Sequence, residues 1–222
     1  SGRLGILLPD GSSHELRPDD VFDVPPGHDG YVIGHEELVF YEWTGVRAFL
    51  EPSGAAANQT LVTVLFTDIV GSSEVATRLG DIRWRELLSR HFESIRAKLA
   101  RFRGREVKTT GDGILATFTG PGPALRCAAA IRVSARDDGL DIRAGVHVGE
   151  AELVEDDVRG VAVHEAERIM SAAGPGEIFV SETTRALASG LDFEDRGVRE
   201  LKGIAGERRL YAYVAGGPTT SS

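Results

Sequence analysis

Residues 106–118 carry two β-capable runs, one on each side of Gly111-Asp112-Gly113. So short a turn between such runs leaves antiparallel pairing as the outcome, and the spacing predicts a hairpin of strands 106–110 and 114–118. Upstream, Leu61-Val62-Thr63-Val64-Leu65-Phe66 is apolar almost throughout, the pattern of a strand covered on both faces. Between them, Ile82, Leu87, Leu88, Phe92, Ile95 and Leu99 recur at helical spacing and predict a helix over 74–102. Further on, the pattern predicts helix over 121–137, strand over 142–153, helix over 158–172, strand over 178–180, helix over 182–189 and strand over 209–214. The β-α-β-β-α-β order predicts an α+β fold: a ferredoxin-like antiparallel sheet with helices on one face.

Ahead of this domain, residues 1–50 read as a small all-β segment. Val21-Phe22-Asp23-Val24 alternates, Pro25-Pro26-Gly27 punctuates, and Tyr31-Val32-Ile33 and Leu38-Val39-Phe40-Tyr41 follow. Residues 51–60, with Pro52, Gly54 and no apolar period, read as a linker. The main domain then covers 61–215, and 216–222 reads as a disordered tail.

Composition narrows the partners. The net charge of −9 over 222 residues, with Arg and Lys interspersed among acids as in Arg83-Trp84-Arg85-Glu86, argues against nucleic acid and against an anionic membrane surface. No run approaches the ~20 apolar residues of a membrane-spanning helix. The opening Ser1-Gly2-Arg3 has no signal-peptide character. The single cysteine, Cys127, lies in the apolar run Ala124-Leu125-Arg126-Cys127-Ala128 and reads as a small buried hydrophobe of a reducing, cytoplasmic protein.

The chemistry centres on two aspartates. Asp68 follows the first strand, and Asp112 occupies the hairpin turn. A strand end beside a hairpin turn can bring the two carboxylates together, and two carboxylates facing one point repel unless protonated or bridged by a cation. Hard oxygen ligands with no spare His or Cys favour magnesium or manganese. Two such ions ~3.5–4 Å apart are the usual device for in-line displacement at phosphorus. Gly71-Ser72-Ser73, at the expected start of a helix, offers free backbone N–H groups that attract phosphate. The plain structural alternative is an N-cap serine and a turn aspartate, each common; their conjunction around one strand and one hairpin favours the site.

Four spaced segments carry a resemblance. Phe66-Thr67-Asp68-Ile69-Val70-Gly71-Ser72 and Val107-Lys108-Thr109-Thr110-Gly111-Asp112-Gly113 resemble the two metal-site motifs of the class III adenylate and guanylate cyclases. Asp157 to Arg168, with Val163-His164-Glu165-Ala166-Glu167-Arg168 at its end, resembles their third motif. Leu201-Lys202-Gly203 through Arg209-Leu210-Tyr211 resembles their closing strand.

The resemblance implies roles. Asp68, Asp112 and the carbonyl of Ile69 would hold two magnesium or manganese ions per active site. Lys108 and Asp157 would read the base: an ammonium donates to adenine N1, and a carboxylate accepts from its N6 amino group. Guanine offers the reverse polarity, so the pair favours ATP over GTP. The alternative role for Asp157 is to cap the 158–172 helix, alone or together with base reading, and Asp156 competes for either job. Arg168 would stabilise charge on the reacting phosphate, its plain alternative being a solvated cation paired with Glu165 at i,i+3. Arg209 would contact the triphosphate, with Arg208 on the other side of the strand. His164 departs from the family pattern, which has asparagine one turn before the arginine to position the ribose; a neutral histidine offers only one N–H.

In this family, metal carboxylates come from one subunit and base-reading and phosphate residues from the other. All are present on this chain, which implies a symmetric homodimer with ATP as substrate. The leading reading is an adenylate cyclase. The second is a weakly active or inactive nucleotide-binding regulatory homologue, with His164 as its motive. A guanylate cyclase comes third, disfavoured by Lys108 and Asp157. Residues 16–29, Leu16 through Asp29, resemble the second half of a cupin barrel; Gly30 stands where a cupin metal site wants histidine, so His28 and His35 are expected at the surface and no metal is expected there.

Overall fold

The structure is a computed structural model that describes residues 3–8, 12–17, 29–34, 59–154 and 157–215. The chain divides into two units, Ser1–Gly54 and Ala55–Ser222. In the first, β1 (Leu4–Leu7), β2 (Ser13–Leu16) and β3 (Asp29–Val32) form an antiparallel sheet in the order β2-β1-β3. Gly5 pairs with Tyr31, and its missing side chain leaves room for the Tyr31 ring. An all-β segment is what the sequence implies there. The strands expected at 21–24 and 38–41 lie outside the described residues, as do His28, His35 and most of the cupin-like stretch.

The second unit contains β4 (Gln59–Ile69), α1 (Ser72–Leu79), α2 (Asp81–Phe102), β5 (Arg105–Thr110), β6 (Gly113–Phe118), α3 (Pro121–Asp137), β7 (Ile142–Val154), β8 (Asp157–Arg159), α4 (Val161–Ser171), β9 (Ile178–Ser181), α5 (Glu182–Leu187), β10 (Asp192–Glu200) and β11 (Glu207–Val214). One sheet runs β10-β11-β9-β7-β4-β6-β5, with β8 paired to the far end of β7. Every pairing is antiparallel except β7 with β9. The stretch β4 to β7 has the expected ferredoxin-like βαββαβ order, giving β7-β4-β6-β5.

The apolar run of β4 explains its central place. Leu65 and Ile69 face one core with Leu87, Ile95, Leu99, Leu125 and Ile131 of α2 and α3. Val62, Val64 and Phe66 face a second core with Ala166 and Met170 of α4. Helices therefore cover both faces, where the sequence suggested one. Close packing of α4 needs Gly145 on β7: a Cβ there would land on the backbone of Ala166 and Met170.

Three boundaries differ from expectation. The 74–102 helix is two helices, because Gly80 takes φ 77° and ψ 159°, a conformation outside the helical well, and breaks the ladder. The helix expected from 158 starts at Val161, because Asp157–Arg159 pairs with the end of β7. β10 is an edge strand rich in Asp, Glu and Arg, so no alternation announced it. Cys127 is fully buried, and burial pushes its thiol up to about 12. Among the described residues no helix is long and apolar enough to cross a membrane.

Candidate active site

Asp68 and Asp112 meet because a glycine lets them. The turn between β5 and β6 has two residues, Gly111 at φ 81° and Asp112. The next residue, Gly113, lies so close to β4 that a Cβ would fall on the carbonyl oxygen of Thr67. The turn is thus pressed onto the end of β4, and the Asp112 carboxylate comes within hydrogen-bonding and charge range of Asp68. Burial, the like charge of Asp112 and its hydrogen bond raise the Asp68 pKa above the ordinary carboxylate value, against the pull of Arg143. Arg143 stands opposite Asp68 on β7 and gives Nη2 and Nε to Oδ2 at 2.6 and 2.9 Å. Asp112 Oδ2 is buried with no hydrogen-bond partner. An orphaned carboxylate oxygen beside a second carboxylate fits a hard cation. Among the described residues no group of three His, Cys, Asp or Glu side chains is placed to hold a metal ion. The Ile69 side chain is a hydrocarbon, so its carbonyl oxygen is the only ligand atom that residue can offer.

Gly71, at φ 65°, is the N-cap of α1, and no side chain caps the helix. Its carbonyl accepts from the N–H groups of Glu74 and Val75. The N–H groups of Ser72 and Ser73 come before that first turn closes and have no acceptor within the helix. The residue at the cap is the glycine, not a serine.

Lys108 on β5 and Asp157 on β8 are 49 residues apart, yet Lys108 Nζ lies 3.2 Å from Asp157 Oδ1. The same oxygen accepts from Val158 N–H at 2.9 Å, and Arg159 Nε lies 3.8 Å from Oδ2. Burial works against ionisation of Asp157, but the Val158 N–H and Lys108 outweigh it and hold the carboxyl below its ordinary value. Asp157 therefore caps no helix; it is the first residue of a strand. Asp156 lies outside the described residues.

His164 and Arg168 are half-buried, one turn apart on α4. Arg168 does not pair with Glu165. Its nearest carboxylate is Glu167, 4.0 Å away, while Glu165 accepts from Arg208 Nε at 2.8 Å. Arg209 is turned the other way, toward Asp195 on β10 at 3.3 Å. The structure thus joins Asp68 to Asp112 and Lys108 to Asp157, and leaves Arg168 and Arg209 with exposed partners. Sequence reasoning missed Arg143 and the Glu165–Arg208 pair. A lone cation in the otherwise apolar stretch 142–146 was the available signal for the first; the second depends on tertiary packing alone.

The family described as the adenylate and guanylate cyclase catalytic domain matches residues 55–215. A pH-sensitive adenylate cyclase of Mycobacterium tuberculosis is 32% identical over 190 residues, 80% of this chain and 46% of the relative. The chain spans less than half the length of these curated relatives, 28% in the case of a 30% identical relative from Rhizobium meliloti. Among solved structures, an adenylate/guanylate cyclase/hydrolase from Silicibacter pomeroyi is 31% identical with a TM-score of 0.61, covering 71% of this chain and 98% of that one. The adenylyl cyclase CyaB from P. aeruginosa shares the fold at 22% identity and a TM-score of 0.69, covering 74% of this chain and 98% of that one. With more than half its residues matched by the family model, the chain belongs to the class III adenylate and guanylate cyclase catalytic-domain family.

Proposed function

We propose that this chain is an adenylate cyclase that forms 3',5'-cyclic AMP and pyrophosphate from ATP, at composite sites of a cytoplasmic homodimer. The observation that carries the choice of ATP is the contact of Lys108 with Asp157. It sets a donor and an acceptor side by side, the order that the N1 and N6 edge of adenine requires. Guanine would oppose the Asp157 carboxylate with a carbonyl oxygen, at a cost of roughly 1–3 kcal/mol for an unpaired acceptor. The Mycobacterium tuberculosis relative is named an adenylate cyclase, which supports the same choice.

Asp68, Asp112 and the Ile69 carbonyl would hold two magnesium or manganese ions. When bound, these supply positive charge at the triphosphate and acidity at the ribose 3'-hydroxyl. The protein's own groups do the rest. The N–H groups of Ser72 and Ser73, after Gly71, receive phosphate oxygens at the α1 N-terminus. His164 orients the ribose through its single N–H. The 3'-hydroxyl gives up its proton to solvent water, its oxygen attacks the α-phosphorus, a new P–O bond closes the ring, and the bond to pyrophosphate breaks. Arg168 donates to the α-phosphate oxygens as charge builds there, an effect worth on the order of 10²–10³ in rate for donors of this kind. Arg209 exchanges Asp195 for the triphosphate. One protomer supplies the carboxylates, and its partner supplies Lys108, Asp157, His164 and Arg168.

A cyclisation assay with ATP and GTP, each with magnesium and with manganese, tests the reading. Cyclic AMP from ATP, abolished by Asp68→Ala, is the expected result. Product from GTP in preference to ATP would overturn the substrate assignment. No product from either nucleotide would overturn the enzyme.

A further inference from the structure

Glu165 has only 9% of its surface exposed and lies on the core side of α4, in the same face as Ala162, Ala166 and Ile169. A carboxylate in such a place is costly unless paired. Its partner is Arg208 on β11, with Nε 2.8 Å from Oε1. Arg208 is itself held, because Nη1 donates to the carbonyls of Ala205 at 3.0 Å and Glu207 at 3.2 Å.

Behind the pair runs a buried polar chain. His147 on β7 feels the charges of both Glu165 and Arg208. Its Nδ1 lies 2.8 Å from Ser181 Oγ, which lies 2.8 Å from Thr184 Oγ1, and Thr184 Oγ1 accepts from Val148 N–H at 2.9 Å. Ser181 Oγ also accepts from Thr184 N–H at 3.2 Å. One assignment places every hydroxyl proton: Thr184 donates to Ser181, and Ser181 donates to His147 Nδ1. The imidazole is then neutral with its proton on Nε2. The polar chain ties β7 to the β9–α5 junction, so Glu165 has a fixed wall on one side and Arg208 on the other.

The rest of the α4 contact is close and apolar: Ala162, Ala166 and the bare Gly145 let the helix approach the sheet, while Ile169 and Met170 pack into the cores beneath it. To these contacts, which carry no direction of their own, the Glu165–Arg208 bond adds a directional one. His164 precedes Glu165 by one residue and Arg168 follows it by three, so both flank it on the helix. A turn of about 20° around the axis would carry a side-chain group at ~5–6 Å radius by about 2 Å. Misplacement of that order costs on the order of 10²-fold in rate.

We infer that Glu165 and Arg208 are positioning residues: their bond fixes the rotation of α4 and thereby the aim of Arg168 and His164. The inference rests on the cyclase reading above for its effect on turnover, but not for its effect on the helix. The variant Glu165→Leu/Arg208→Leu removes both charges together, which spares the fold the cost of one buried charge left alone. Its kcat should fall 10- to 100-fold with KM within about twofold of wild type, and backbone amides of 161–171 should exchange faster. Glu165→Gln, whose amide oxygen still accepts from Arg208 Nε, should rescue most of the rate. Arg208→Lys keeps the charge but not the Nε–H direction, and should lose rate while remaining folded; it decides the matter if the leucine pair does not fold. Wild-type kcat in either the leucine pair or Arg208→Lys, or unchanged exchange in α4, would overturn the clamp. If the wild-type protein makes no cyclic nucleotide the cyclase reading falls, while the exchange experiment still decides the clamp.

Discussion

Arg143 faces Asp68 across the β4–β7 ladder and places two N–H donors on one carboxylate oxygen, Oδ2. The guanidinium therefore stands in the position of a countercharge to the Asp68–Asp112 pair. Arg143→Gln removes it and leaves the two carboxylates facing each other, a loss on the order of 1–3 kcal/mol for a charge-assisted bond. Without divalent ions the melting temperature should fall. Added manganese should raise it by more than it raises that of wild type. Equal shifts in the two proteins would mean that Arg143 and a cation do not compete for Asp68.

Gly113→Ala should be among the most damaging small substitutions in the chain. Its Cβ meets the main chain of β4 at Thr67, which cannot swing aside as a side chain can. We expect a loss of about 1–3 kcal/mol or more, read from urea denaturation. Activity should fall further than stability alone explains, since the hairpin carries Asp112. An unchanged denaturation midpoint would show that the turn does not press on β4.

Asp157→Asn replaces an acceptor-only group with one that can also donate. The variant's preference for ATP over GTP should narrow by on the order of 10-fold, measured as the ratio of kcat/KM values. A preference as steep as in wild type would remove Asp157 from base reading.

Acidification should weaken the fold through His147. Burial lowers its pKa, Glu165 opposes this, and Arg208 adds to it. The unfolded chain takes up a proton near the ordinary 6.5, and the folded chain only at lower pH. The stability this residue contributes is therefore intact above 6.5 and lost as pH falls from there through the lowered folded-state value. His91, buried with Nδ1 unpartnered, has the same sign. Denaturation midpoints across this range should show the decline, and His147→Gln should flatten part of it. An identical slope in the variant would assign the decline elsewhere.

The proposed composite sites make a further outcome calculable. Asp68→Ala and Arg168→Ala should each be nearly inactive alone. In an equal mixture half the dimers are mixed, and each mixed dimer has one intact site of two, so roughly a quarter of wild-type activity should return. No recovery after subunit exchange would argue for sites complete within one protomer.

Local chemistry was legible in the sequence and tertiary register was not. The Gly111-Asp112-Gly113 turn puts Asp112 at a hairpin tip, because hairpin geometry is local; its meeting with Asp68 also needs the pairing of β4 with β6. Lys108 and Asp157 come together across 49 residues, and only the family resemblance pairs them. Arg143 needs the β4–β7 register, and Glu165 with Arg208 needs the packing of α4 against β11; no periodicity encodes either. The break at Gly80 hid inside a helical period that continues on both sides of it. The strand at Asp157–Arg159 hid because three residues give no pattern.

That break at Gly80 has a mechanical consequence. None of α1's residues is fully buried; Val75 and Leu79 only lean on the core that α2 enters with Leu87, Ile95 and Leu99. Gly71 and Gly80, both at positive φ, bound it as pivots. The segment bearing Ser72 and Ser73 is therefore a flap hung between two swivels. Its displacement opens little apolar surface and costs little free energy. The carboxylate end of the site is rigid because β4 and the hairpin are locked together, whereas the α1 end can follow a ligand without disturbing the core.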